Sequence, residues 1–109
     1  MKAFETTDLI AQQAGGVNAY LEFLKEDSLS MGLYVLPAGG SDGQSPHTED
    51  EVYYVVSGRG MFFHAGENVV AQPGSILYVA AHVEHRFHSI TEDLKVLVFF
   101  APAEYSKRK

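Results

Sequence analysis

From residue 19 onward the chain is a series of short apolar runs, cut at roughly ten-residue intervals by glycine, proline and acidic turns. The runs fall at residues 19–25, 30–36, 51–57, 61–64, 68–71, 75–79, 85–90 and 94–101. Each is too short to be a helix and long enough to be a strand. About eight strands with that spacing define an all-β protein, a sandwich or a barrel of the jelly-roll type. The separators are Glu26-Asp27-Ser28, the turn-rich stretch PAGGSDGQSP at 37–46, Gly58-Arg59-Gly60, Ala65-Gly66, Pro73-Gly74 and Thr91-Glu92-Asp93. A single short helix precedes them. Thr7 or Asp8 caps it, residues 9–14 continue it and Gly15-Gly16 end it.

A chain of 109 residues has room for one domain and one core. The expected division is an N-terminal segment at 1–16, the barrel at 17–101 and a tail at 102–109. With 46% hydrophobic residues and a mean hydropathy of −0.07 it is a globular composition. No run reaches the ~18 apolar residues that span a bilayer, and Met1-Lys2-Ala3 does not lead into a signal-type apolar region. The expected location is the cytoplasm. A net charge of −6 opposes nucleic acid and anionic lipid as partners, and the basic end Lys107-Arg108-Lys109 is a solubilising terminus. The chain has no cysteine, so any metal must be held by nitrogen and oxygen.

Two runs break the alternation that one solvated face imposes. Val52-Tyr53-Tyr54-Val55-Val56 and Val96-Leu97-Val98-Phe99-Phe100 are apolar on both sides. Their outer faces must pack on a second sheet, on the N-terminal segment or on another subunit, and a homodimer is the expected arrangement.

The chemistry gathers in two places. In the stretch SPHTEDEVYYVVSG, side chains two apart share a face, so His47, Glu49, Glu51, Tyr53 and Val55 point together if the strand begins by residue 47. Tyr53 and Val55 need a core, which puts Glu51 at its rim. A lone carboxylate there costs several kcal/mol, and a metal ion removes that cost. The competing account is a solvated loop end. In AAHVEHRFHS, His85 and Phe87 share one face while Arg86 and His88 share the other. Arg86 is a poor core residue, so His85 points inward, His88 points outward and His82 sits in the loop. His64 has no such company and is expected at the surface or in a turn. Two imidazoles and a carboxylate would make a site with open coordination positions.

These residues resemble the two motifs of the cupins, specifically the small single-domain kind. The first motif runs glycine, five residues, His-x-His, three or four residues, glutamate, six residues, glycine. Gly39, Ser45, His47, Glu51 and Gly58 stand at those positions. Gly74, Ala80, His82, His85 and Ser89 fall on the second motif, which carries glycine, proline, glycine, histidine and asparagine. The resemblance implies a double-stranded β-helix and a divalent ion (iron, manganese, nickel or zinc) held by His47, Glu51 and His85. Ser45 replaces the first motif histidine, so one of the four usual ligands is missing. Glu49 or His82 is a candidate substitute.

The resemblance also implies a metal-dependent enzyme of dioxygenase, isomerase or lyase type acting on a small organic molecule, or a binding module without turnover. Glu49, Tyr78 and His82 are candidate proton-transfer or orienting groups, and Tyr53, Phe63, Tyr78 and Phe87 are candidate pocket walls. No glycine-rich loop leads into a helix to cradle phosphate.

Overall fold

The computed structural model describes residues 1–43 and 46–105. A helix, α1 (Thr6–Ala14), is followed by six strands among the described residues: β1 (Tyr20–Lys25), β2 (Ser30–Leu36), β3 (Asp50–His64), β4 (Glu67–Ala71), β5 (Ile76–Val79) and β6 (His85–Ala101). All pairings are antiparallel, in the order β1-β2-β6-β3-β4, with β5 also paired to β3. The helix starts at Thr6, Glu5 takes the cap position without a side-chain bond, and Gly15 closes the C-terminus as expected.

The count is six strands where the turn pattern led us to expect eight. Gly58-Arg59-Gly60 and Thr91-Glu92-Asp93 are not hairpin turns. They lie within the two long strands, where the β3–β6 register slips between Val55 and Ser57, Ser57 and Arg59, and Arg59 and Met61. Bulges of this kind bend and twist a ladder without ending it. At the bend Gly58 has φ +95°, and a Cβ there would lie 2.1 Å from the Asp93 carbonyl oxygen. The N-terminal half of β3 therefore pairs with the C-terminal half of β6 and with β5. Its C-terminal half pairs with the start of β6 and with β4.

The two halves enclose the core. Tyr53, Val55, Phe62, Phe87, Leu94, Val96, Val98 and Phe100 are buried in a single cluster. Tyr53, Phe62 and Phe87 pack edge-on or tilted with ring centroids 4.8–5.5 Å apart, in arrangements aromatic pairs favour. Gly32 admits a further ring: a Cβ there would lie 2.1 Å from the Tyr20 ring. On the outer face α1 lies against β1 and β2, and Leu9 and Leu33 are both buried. Leu97 faces the same hollow as Phe4, Leu9, Phe23 and Met31. The N-terminal segment thus covers part of the doubly apolar β6, and Phe99 lies beyond it.

Candidate metal centre

The loop before β3 is tied down on both sides of His47, and the strand itself begins at Asp50. Buried Asp42 accepts the Tyr34 hydroxyl at Oδ1 and the Phe87 amide at Oδ2, each at 2.9 Å. The Gly39 amide donates to the Ile90 carbonyl at 2.9 Å, and the His82 amide to the His47 carbonyl at 2.7 Å. Although residues 48 and 49 bend before the strand starts, burial alternates from the loop into it: His47, Glu49, Glu51, Tyr53 and Val55 are all buried. On the opposite half of the barrel His85 and Phe87 are buried, Arg86 is exposed and His88 is part-buried, its Nε2 2.6 Å from Asn68 Oδ1. Glu51 and His85 are not ladder neighbours, since Glu51 pairs with Phe100 and Val79 while His85 pairs with His64. They meet across the interior.

His47, Glu51 and His85 each offer a ligand atom, and these atoms lie within 4.8 Å of one another. The His85 Nδ1 is 2.8 Å from the Val83 carbonyl, which can only accept, so Nδ1 carries the proton. Nε2 therefore points inward, free to ligate whenever the ring is neutral, and lies 2.6 Å from Glu51 Oε1 and 3.1 Å from the Tyr53 hydroxyl. His47 Nδ1 lies 3.5 Å from the same Glu51 oxygen, and its Nε2 lies 3.2 Å from Glu104 Oε2. His47 Nδ1 and both Glu51 oxygens are buried without a hydrogen-bond partner.

Without a cation these atoms repel one another, and protons answer the repulsion. Burial works against charge on His47, but the Glu104 and Glu51 carboxylates outweigh it and push the imidazole up to about 9. Burial likewise opposes charge on His85, and Glu51 drives it the other way, above the ordinary histidine value. Glu51 is held below the usual carboxylate range by the two imidazoles, against its own burial. A divalent ion fits the same place. Two imidazoles and one carboxylate suit first-row metals, and orphaned buried donors are what such an ion engages.

Beside His47 opens a cavity of about 170 Å³ lined by Tyr20, Tyr34, Val98, Phe100, Glu104 and Tyr105. The Tyr20 hydroxyl is buried and unpartnered, and burial raises its pKa further. The expected walls lie elsewhere: Tyr53 and Phe87 are fully packed in the core, and Phe63 carries the Arg86 guanidinium 4.4 Å above its ring.

The other candidate residues are not brought to the three. Glu49 is buried, but Oε1 accepts the Tyr105 amide at 2.7 Å and Oε2 accepts the Thr48 hydroxyl, so it anchors the C-terminal turn. Tyr78 is 60% exposed on the outer face. His82 is exposed at φ +68°, turned away by its loop. His64 is half-buried at the end of β3. Ser45 and Lys107-Arg108-Lys109 lie outside the described residues. Sequence spacing missed Asp42, Tyr20, Glu104 and Tyr105. Asp42, in a loop of glycines and polar residues, carries no local mark of burial. Glu104 lies in the expected tail, yet Ser30 Oγ accepts its amide at 2.8 Å and turns it back over the barrel mouth.

A jelly-roll barrel with a buried His-Glu-His group at its mouth defines a class, and comparison with known proteins supplies the family. Residues 32–100 match the cupin domain, and the chain belongs to that family. An uncharacterized protein of Streptomyces coelicolor is 51% identical over 104 residues, covering 95% of this chain and 99% of that one. The acireductone dioxygenase of Bacillus pumilus is 39% identical over 56 residues, covering 47% of this chain but only 31% of that enzyme. Among solved structures, an RmlC-like cupin with a double-stranded β-helix fold from Methanocaldococcus jannaschii superposes with a TM-score of 0.69 at 19% identity. The match covers 76% of this chain and 78% of that one. Cupin relatives act on small molecules, and no helix among the described residues is long and apolar enough to cross a membrane.

Proposed function

We propose that His47, Glu51 and His85 hold a divalent transition metal and that the chain is a metal-dependent cytoplasmic enzyme acting on a small organic molecule. The observation that carries this is the convergence of buried, unpartnered donor atoms at one point of the interior. A bound ion would supply Lewis-acid polarisation or, if redox-active, electron transfer. The chain itself does the rest. The Val83 carbonyl fixes the His85 tautomer, Tyr53 flanks that ring, and the tyrosine-lined cavity admits and orients the ligand. At about 170 Å³ it is close to the ~150 Å³ that holds benzene, room for a small ring or short chain. Similarity to a protein named a dioxygenase supports turnover.

The second reading is a binding module without turnover. Serine at the place of the first motif histidine favours it, since three protein ligands in place of four weaken the site. Small oxygen-bearing molecules assayed with and without chelator separate the two. Turnover that disappears on chelation and returns with metal supports the enzyme. Binding that survives chelation, with no product, supports the module.

Ion uptake must displace protons, because imidazole nitrogens ligate only when deprotonated. With His47 pushed up to about 9, its ring carries an extra proton at neutral pH in the metal-free protein, and His85 is shifted in the same direction. Metal binding at pH 7 is therefore expected to release about one proton from His47, and its affinity to climb as pH rises toward 9. Calorimetry in two buffers of different ionisation enthalpy reads the release directly. Identical heats in both buffers would contradict it.

The outer face supports a homodimer. Phe99, Val52 and Tyr78 are neighbours across three strands, as are Leu97, Tyr54 and Ile76. Val52, Tyr54, Ile76 and Phe99 form a groove with no polar lining, and Ile76 is 70% exposed. Contiguous exposed apolar surface of this kind marks an interaction site. Light scattering is expected to give twice the 12.0 kDa chain mass, and Ile76→Glu the chain mass alone. A monomeric parent would overturn the dimer.

A further inference from the structure

The metal reading leaves one charged side chain at the site unexplained. Glu104 comes from beyond the last strand, outside both histidine-bearing segments, yet its side chain is 11% exposed and its Oε2 lies 3.2 Å from His47 Nε2. A part-buried carboxylate at that distance from an imidazole can only accept. When the ring gives up its extra proton, as a metal ligand must, the carboxylate keeps the remaining one on Nε2 and leaves the lone pair on Nδ1, the atom that faces Glu51 at 3.5 Å. This mirrors the far side of the site, where the Val83 carbonyl holds the proton of His85 on Nδ1 and frees Nε2. In one case the partner is a backbone carbonyl, in the other a carboxylate delivered by the C-terminal turn.

That turn is built to deliver it. Ser30 Oγ accepts the Glu104 amide at 2.8 Å, and Glu49 Oε1 accepts the Tyr105 amide at 2.7 Å. Ser30 and Glu49 are themselves fully or almost fully buried. The Tyr105 ring then lies beside His47, with centroids 5.8 Å apart, and Phe100 flanks the imidazole at 4.8 Å. His47 is thus clasped between the last strand and the segment that follows it. The carboxylate lines the cavity as well, so it stands between the metal group and any ligand entering from the mouth.

We propose that Glu104 is a positioning residue of the metal centre, holding His47 in the tautomer and orientation that present Nδ1 to the ion. The inference rests on the metal reading above. Outer partners of metal-bound histidines commonly carry about 10–100-fold in affinity. The test is competition titration of the full-length protein with Zn²⁺ and with Ni²⁺, comparing the parent with Glu104→Ala and Glu104→Gln. Glu104→Ala is expected to bind about 10–100-fold more weakly. Glu104→Gln, whose amide oxygen still accepts the Nε2 proton, is expected to stay near the parent. In the Zn²⁺-loaded parent the His47 Nε2 proton should be visible by NMR and slow to exchange, and in Glu104→Ala it should be lost to exchange. A role confined to packing the barrel mouth would lower the melting temperature and leave both readouts unmoved.

Tight binding by the parent with unchanged affinity in Glu104→Ala would overturn the assignment of Glu104 alone. Equal losses in the Ala and Gln variants would overturn it too, by showing that the charge and not the accepted proton matters. A parent that binds neither ion would remove the metal reading and this inference together.

Discussion

Glu51→Gln is expected to lower affinity for any divalent ion by more than 100-fold while leaving the fold intact. The carboxylate is the one anionic atom pair among the three donors, it is 1% exposed, and both oxygens lack a hydrogen-bond partner. Its loss should exceed the ~10–100-fold carried by outer partners of metal ligands. Glutamine fills the same volume beside Tyr53, and its amide can donate to or accept from His85 Nε2, which the carboxylate now faces at 2.6 Å. Circular dichroism of the metal-free variant should therefore match the parent, while competition titration registers the loss. An affinity within tenfold of the parent would show that Glu51 is not a ligand.

The second large effect is on the fold. Gly58→Ala is expected to destabilise the protein by about 2–5 kcal/mol, adding a left-handed backbone cost of ~1–2 to an overpacking cost of ~1–3. The glycine sits at φ +95°, and an added Cβ would meet the Asp93 backbone, which cannot rotate aside. For a domain whose total stability is roughly 5–15 kcal/mol this is a large share. Denaturant unfolding measures it, and a change under 1 kcal/mol would mean that β3 does not bend at that position. Gly60→Ala is the milder comparison: its Cβ would meet the His88 carbonyl and Ile90 at 3.3 Å, a tight contact that a shift of a few tenths of an ångström relieves, so its loss is expected to be smaller.

Gly58 also shows where sequence reading stops. A glycine at positive φ serves a hairpin turn and a β-bulge equally well, and nothing within five residues distinguishes them. Only the partner strand does, through the slipped pairing of Ser57 with Lys95 and Arg59 with Glu92. The expected turns at 58–60 and 91–93 became one shared bend for that reason. The inward set was legible because it obeys a purely local rule. Within the strands the alternation from Glu51 to Val55 and from His85 to Phe87 decides which side chains are buried, while His47 and Glu49 keep that phase from the loop, before the strand begins at Asp50. The same rule is silent on Glu104, which reaches His47 through the fold and not through any strand period. It is equally silent on Glu49, whose inward direction was correct but whose carboxylate is occupied by the Tyr105 amide and the Thr48 hydroxyl. Tyr78 alternates onto the outer face with Ile76, where the apolar groove lies.

The most direct test of the central claim is the metal content of the purified, untagged protein, measured by elemental analysis beside His47→Ala and His85→Ala. The account predicts about one equivalent of a single transition metal per chain in the parent and none above background in either variant. A parent that stays empty after reconstitution with iron, manganese, nickel and zinc would contradict it, as would variants that hold as much metal as the parent.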